Sequence, residues 1–207
     1  MSTLLLRLAA PLQSWGTQSP FRNRDTDREP SKSGVIGLIC AALGRPRSAP
    51  LDDLAALRMG VRVERPGTTL LDFHTAGGGY PGKGNATVTR RYYLADADFV
   101  VGLEGDHALL TRLDTALDAP VWTLYLGRKA CVPAEPVRVP NGLREEGLEE
   151  CLRALSPMRD PFVKQRRLVV EVGPEQATEI RFDTPLSFAE RVFGPRYIRT
   201  EWVEVPS

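Results

Sequence analysis

The chain has only two histidines, His74 and His107, and only three cysteines, Cys40, Cys131 and Cys151, in 207 residues. The cysteines lie far apart and form no CxxC pair, which argues against a disulfide framework or a zinc knuckle and leaves them as buried, reduced thiols. No pair of carboxylates stands at metal-ligand spacing, so neither a metal nor another cofactor is expected. Charge of one sign is also lacking: 27 Lys and Arg against 26 Asp and Glu leave a formal +1. That balance argues against a protein that coats nucleic acid on every face, but it permits one local basic patch. No apolar run approaches the ~18 residues of a membrane span. Arg7 interrupts the apolar opening MSTLLLRLAAPLQSWG before a signal-peptide core can form, so the chain reads as cytoplasmic with no membrane partner. A hydrophobic fraction of 42% is enough for a core, which excludes wholesale disorder.

What is present is a succession of short periodic segments. TLLLRLA (3–9) reads as a buried strand ended by Pro11, and 12–31 as a polar loop in which Arg22, Arg24 and Arg28 alternate with Asp25, Asp27 and Glu29. SKSGVIGLICAALG reads as a helix capped by Ser31 or Ser33 and stopped by Gly44. PLDDLAAL (50–57) suggests a short helix, and MGVRVER (59–65) alternates like a half-buried strand. TTLLDFHT and NATVTRRYYL flank the glycine-rich AGGGYPGKG, the pattern of a long hairpin at about 68–94. A strand (97–105), an amphipathic helix (106–117), the loop TLYLGRKAC and a strand-like PVRV follow. This order is the split β-α-β pattern of an α+β, ferredoxin-like core with an inserted hairpin, over residues 1–140. Residues 141–207 read as an acidic helix, LREEGLEECLRAL, and a small β-sheet packed beside that core.

The glycine tip comes close to the phosphate-binding pattern GxxxxGK[ST] and departs from it twice. Gly84 stands where a hydroxyl must hold magnesium, and a strand follows where a helix is required. His74, Tyr80 and Lys83 form a set able to support metal-free RNA cleavage, with one base for the 2′-OH and one cation for the phosphate. The broader pattern is arginine mixed with aromatics and glycine. Arg22, Arg24, Arg28 and Lys32 lead to a helix start at Ser33, where free amides suit a phosphate. Arg90 and Arg91 precede Tyr92 and Tyr93; Gly127, Arg128 and Lys129 follow Trp122 and Tyr125. Forked guanidinium donors and stacking rings are what single-stranded RNA requires. In a strand of period two, one of Arg90 and Arg91 must point away from the other.

RLAAPLQSWG, EPSKSGVIGLICAALGR, LLDFHTAGGG, RRYYLADADFVVGL and TLYLGRKACVPAEP, in that order over residues 4–140, resemble the CasD family. These are subunits of the type I-E CRISPR Cascade complex, within the repeat-associated mysterious protein superfamily. The last third resembles the family only at RVFGPRYIRTEW. The resemblance implies a non-catalytic, antiviral subunit with a thumb hairpin. It would hold the 5′ handle of the CRISPR RNA, cap a filament of backbone subunits (CasC) and touch the large subunit (CasA). Target DNA would be met only indirectly, through guide pairing. By position, the resemblance places Gln13 and Trp15 beside the RNA surface, and Arg22, Arg24, Lys32 and Ser33 near the handle phosphates. It makes the thumb of His74 to Arg91 and matches Gly127, Arg128 and Lys129 to a family loop. Because a related family cuts precursor RNA, a metal-independent endoribonuclease centred on His74, Tyr80 and Lys83 stands as the alternative.

Overall fold

The computed structural model describes residues 1–16, 22–76, 86–160 and 162–206. In chain order its elements are β1 (Ser2–Ala9), β2 (Leu12–Gln13), β3 (Asn23–Arg24), α1 (Lys32–Leu43), α2 (Asp52–Ala55) and β4 (Arg58–Arg65). The hairpin strands β5 (Thr68–Ala76) and β6 (Thr87–Ala95) come next, then β7 (Asp98–Gly105), α3 (His107–Asp118) and β8 (Arg138–Arg144). The chain continues with α4 (Leu148–Ala154), β9 (Gln165–Glu171), β10 (Glu179–Ser187) and β11 (Val192–Glu204). The fold is mixed α+β, built on a seven-stranded sheet in the order β10-β11-β9-β4-β7-β1-β8.

Both faces of this sheet are covered, which explains why β1 and β7 read as continuous apolar runs. On one face Leu4, Leu6, Val61, Phe99 and Val101 pack with Val35 and Ile39 of α1 and with Leu110 and Leu113 of α3. On the other, Leu5, Val100, Leu168 and Val170 pack with Leu148 and Leu152 of α4. Covering the second face changes β4, which the alternation in MGVRVER makes half-buried. Arg62 is instead fully buried, donating through Nε to Glu64 (2.7 Å) and through its Nη atoms to the carbonyls of Leu152, Leu155 and Ser156.

The acidic helix is shorter than its pattern suggests. Leu143 and Arg144 belong to β8, because Leu143 pairs with Leu4 in the sheet, and α4 begins only after Gly147. The C-terminal strands do not form a separate small sheet. β9 pairs with β4, so β9, β11 and β10 extend the main sheet to its far edge. A buried ionic joint fastens this extension to α1. Asp183 of β10 accepts the Lys32 amide (2.8 Å) and Nε and Nη2 of Arg196 (2.7 Å each), while Lys32 Nζ donates to both carboxylate oxygens of Glu171. The three cysteines are buried and free, and burial raises each thiol above its ordinary pKa.

Candidate nucleic-acid interface

A second sheet carries the site. β6 pairs along its whole length with β5, from Thr68 opposite Ala95 to Ala76 opposite Thr87, and at its base with β2. β3 lies parallel to the middle of β6, setting Asn23 against Arg90 and Arg24 against Arg91. The Arg90 amide donates to the Arg22 carbonyl at 2.8 Å. The polar loop of 12–31 thus contributes a strand, and arginines from two distant segments, Arg22 and Arg24 on one and Arg90 and Arg91 on the other, come to lie along one ladder.

Arg90 and Arg91 do point to opposite faces. The Arg90 guanidinium stands 5.9 Å from the centroid of Phe73, its partner across the ladder. Arg91 lies on the Thr89–Tyr93 side and donates to the Thr89 hydroxyl at 3.2 Å. Tyr92 is half-buried on the Arg90 side.

The Gly127–Arg128 loop locks this ladder to the core. Gly127 adopts φ 91°, and a Cβ there would sit 1.7 Å from the Ser14 carbonyl oxygen, so only glycine fits. Arg128 donates to the carbonyls of Tyr92 (2.9 Å), Arg24 (3.0 Å) and Asp25 (3.2 Å), and its guanidinium lies over the Tyr93 ring. Arg128 therefore shapes the surface more than it offers charge to a ligand. Lys129, on the same loop, is exposed.

Between this loop, the start of α1 and β3 lies a groove of about 560 Å³. Arg24, Arg47, Arg128 and Arg191 line it with Ser33 and Phe193. Arg47 and Arg191 escape a reading of the sequence. Arg47 sits in the short loop GRPRSAP with no aromatic around it, and Arg191 arrives from the opposite end of the chain. A second cavity of about 260 Å³ continues from Ser33, Gly34 and Arg47 toward Trp122 and Tyr125.

Several expected contact residues sit behind the surface. Gln13 is buried: its Nε2 donates to the Leu8 and Ala97 carbonyls, and its Oε1 accepts from Trp15 Nε1. Trp15 is buried against the first turn of α1, where a Cβ on Gly34 would meet its ring at 2.8 Å. Lys32, 1% exposed, spends its ammonium on Glu171. Burial lowers its pKa despite that partner. The start of α1 is also less open to phosphate than its sequence suggests. Asp183, the Ser31 hydroxyl and the Ser31 carbonyl take the amides of Lys32, Gly34 and Val35. Ser33 lies on the groove rim. Arg28 lies in a different cavity. Glu29, expected in a solvated loop, is buried and binds both Arg167 and Arg181.

His74 lies out along β5, exposed, with its Nδ1 3.8 Å from Asp72 Oδ2, too far for a hydrogen bond. Tyr80 and Lys83 lie outside the described residues. Among the described residues no cluster of His, Cys, Asp and Glu is placed to hold a metal. No described helix is long and apolar enough to cross a membrane.

Comparison with known proteins bears on this surface. The family described as CRISPR-associated protein (Cas_Cas5) matches residues 3–199. The CRISPR system Cascade subunit CasD of Escherichia coli (strain K12) is 37% identical in an alignment of 155 residues, with 66% of this chain and 69% of that protein covered. A solved structure titled "Crystal structure of Cas protein" superposes with a TM-score of 0.83 at 44% identity, covering 99% of this chain and 98% of the other. A chain of a "CRISPR RNA-guided surveillance complex" superposes with a TM-score of 0.82 at 36% identity, covering 99% and 91%.

Proposed function

Because the chain belongs to the CRISPR-associated Cas_Cas5 family, we propose that it is a Cascade subunit that holds the 5′ handle of a CRISPR RNA in the arginine groove and does not cut it. The observation that carries this reading is the convergence of Arg24, Arg47 and Arg191 on one groove beside the β3–β6 ladder of Arg22, Arg90 and Arg91. Guanidinium groups bind phosphate as two-pronged donors, and a fixed handle sequence lets neighbouring groups read base edges as well. The aromatic wall of Trp122 and Tyr125 supplies stacking faces at the far end of the groove. Target choice is left to guide–DNA pairing. We assign the exposed apolar row Ile180, Phe182 and Leu186 on β10, the outermost strand, to a protein neighbour in the complex, either a backbone subunit (CasC) or the large subunit (CasA).

The test is co-purification. A chain carrying Arg24→Gln, Arg47→Gln and Arg191→Gln should stay folded yet recover assembled complex with guide RNA depleted severalfold. Normal guide loading by this variant would remove the groove from the proposal.

A further inference from the structure

A second basic cavity, of about 900 Å³, shares no lining residue with the arginine groove. It lies between the base of the hairpin (Thr68, Thr69) and the sheet where β4, β9 and β11 run side by side. Arg28, Arg65, Arg159, Arg166 and Arg167 line it, with Trp202. Arg167 stands directly between Val63 and Trp202 in the sheet. Trp202 is 69% exposed, an unusual placement for the largest apolar side chain in a strand.

The charges around this cavity are arranged so that arginine stays in excess. Glu64 is shared by Arg62 and Arg166. Glu29 is shared by Arg167 and Arg181, and Asp98 by Arg7 and Arg159. Glu64 and Asp98 thus each neutralise only one of their two guanidinium partners, whereas Arg181 has Glu179 as a second partner; Asp160 also lines the cavity, leaving five lining arginines against Glu64 and Asp160. Arg28 adds an exposed guanidinium, and among the described residues Arg65 meets the exposed Asp96 at 3.8 Å. Arg166 is 2% exposed and already engaged: its Nη atoms donate to the carbonyls of Val163, Gln165 and Asp160, and its Nε faces Glu64 Oε2 at 3.5 Å.

An exposed tryptophan beside arginine is also what a protein-binding hot spot looks like. The surplus of positive charge favours a polyanion, with Val63, Pro66, Leu94 and Val163 giving the lining an apolar part suited to a base, and the volume lies within the roughly 300–1,000 Å³ range of small-ligand sites. We propose that this cavity binds one nucleotide of a single strand, its base stacked on Trp202 and its phosphate held by Arg28 and Arg65. The strand is either the guide RNA beyond the handle or a DNA strand brought by the target, since both offer the same base and phosphate.

Short oligouridylate and oligothymidylate carrying photoreactive thio-bases, mixed with the full chain and irradiated, test this. The expected crosslink falls on the tryptic peptide that follows Arg199 and contains Trp202. It should persist in the Arg24→Gln, Arg47→Gln, Arg191→Gln variant, which separates this site from the groove. Trp202→Phe should keep most of the yield. Trp202→Ala and the Arg28→Gln, Arg65→Gln pair should each lower it by about tenfold, the scale of one lost stacking or charged contact. A stronger signal with uridylate assigns the strand to RNA and with thymidylate to DNA; either supports the site. No crosslink on that peptide, or undiminished yield from both variants, overturns it. So does protection of Trp202 only when other protein subunits are added without nucleic acid, which would make the surface a protein contact.

Discussion

The Arg128 guanidinium lies 4.5 Å from the centroid of the Tyr93 ring while its Nη atoms bind the carbonyls of Tyr92, Arg24 and Asp25. One side chain thereby holds β3, β6 and the 127–128 loop in a single arrangement. Lysine keeps the charge but loses the planar fork and the stacking. Arg128→Lys should cost about 1–3 kcal/mol of stability, read as a lower urea midpoint, and should weaken RNA binding through the loosened ladder.

Gly127 is less forgiving. A methyl group there needs the Ser14 carbonyl to move, and the φ of 91° is strained for any other residue. Gly127→Ala should destabilise the fold by more than the roughly 1–3 kcal/mol of backbone strain alone, because the Ser14–Leu126 hydrogen bond beside it must also shift. Chemical denaturation measures the loss. A midpoint equal to that of the unmodified chain would contradict this geometry.

Acid should loosen the C-terminal strands. Burial pushes the Asp183 carboxyl up, but two bonds from Arg196, the charge of Arg196 and the Lys32 amide more than offset this and hold it below the ordinary range. The folded pKa is thus lower than the unfolded one. The stabilisation is complete above the unfolded value of about 3.9 and is lost as pH falls through the folded value. Asp183→Asn leaves Arg196 without its buried counter-charge and should cost about 3–5 kcal/mol at neutral pH. It should also remove part of the acid dependence of the urea midpoint below about pH 4. An acid limb of unchanged steepness would show that Asp183 does not titrate with unfolding.

Cleavage provides a separate check. With its ring exposed and 3.8 Å from Asp72, His74 has no built base–acid partner among the described residues. Repeat RNA incubated with the chain in EDTA should yield no product that Asn or Ala at position 74 abolishes. A discrete cut lost in His74→Ala would restore the nuclease alternative.

Apart from β2 and β3, which lie in the stretch read as a polar loop, the order of elements from β1 to α3 was legible because each carries its own signal: an apolar run, a Ser31 cap with a Gly44 stop, or strand alternation across a glycine tip. The fates of the charges were not. Arg62 and Glu64 look like the solvent side of a half-buried strand, yet they face α4, a helix ninety residues later. Glu29 looks like one member of an alternating surface loop, yet it binds Arg181, 152 residues away. Asp183 caps α1 from β10, 151 residues away. Sequence periodicity reports the phase of a side chain but not what covers that face. One local signal existed: Asp183 and Arg196 fall on the inward phase of their strands, where unpaired charge is not tolerated. The same limit hid Arg47 and Arg191, which become groove residues only when the C-terminal strands fold back against α1.

The most direct measurement is the salt dependence of RNA affinity, by fluorescence anisotropy with a handle-length single strand and the full chain. Each phosphate neutralised contributes a slope of about −0.7 in log K against log salt. The Arg24→Gln, Arg47→Gln, Arg191→Gln chain should bind more weakly and with a slope flatter by about 2, the value for three lost phosphate contacts, and the RNA should be recovered intact. An unchanged slope, or shortened RNA, would contradict a groove that holds the strand through these arginines without breaking it.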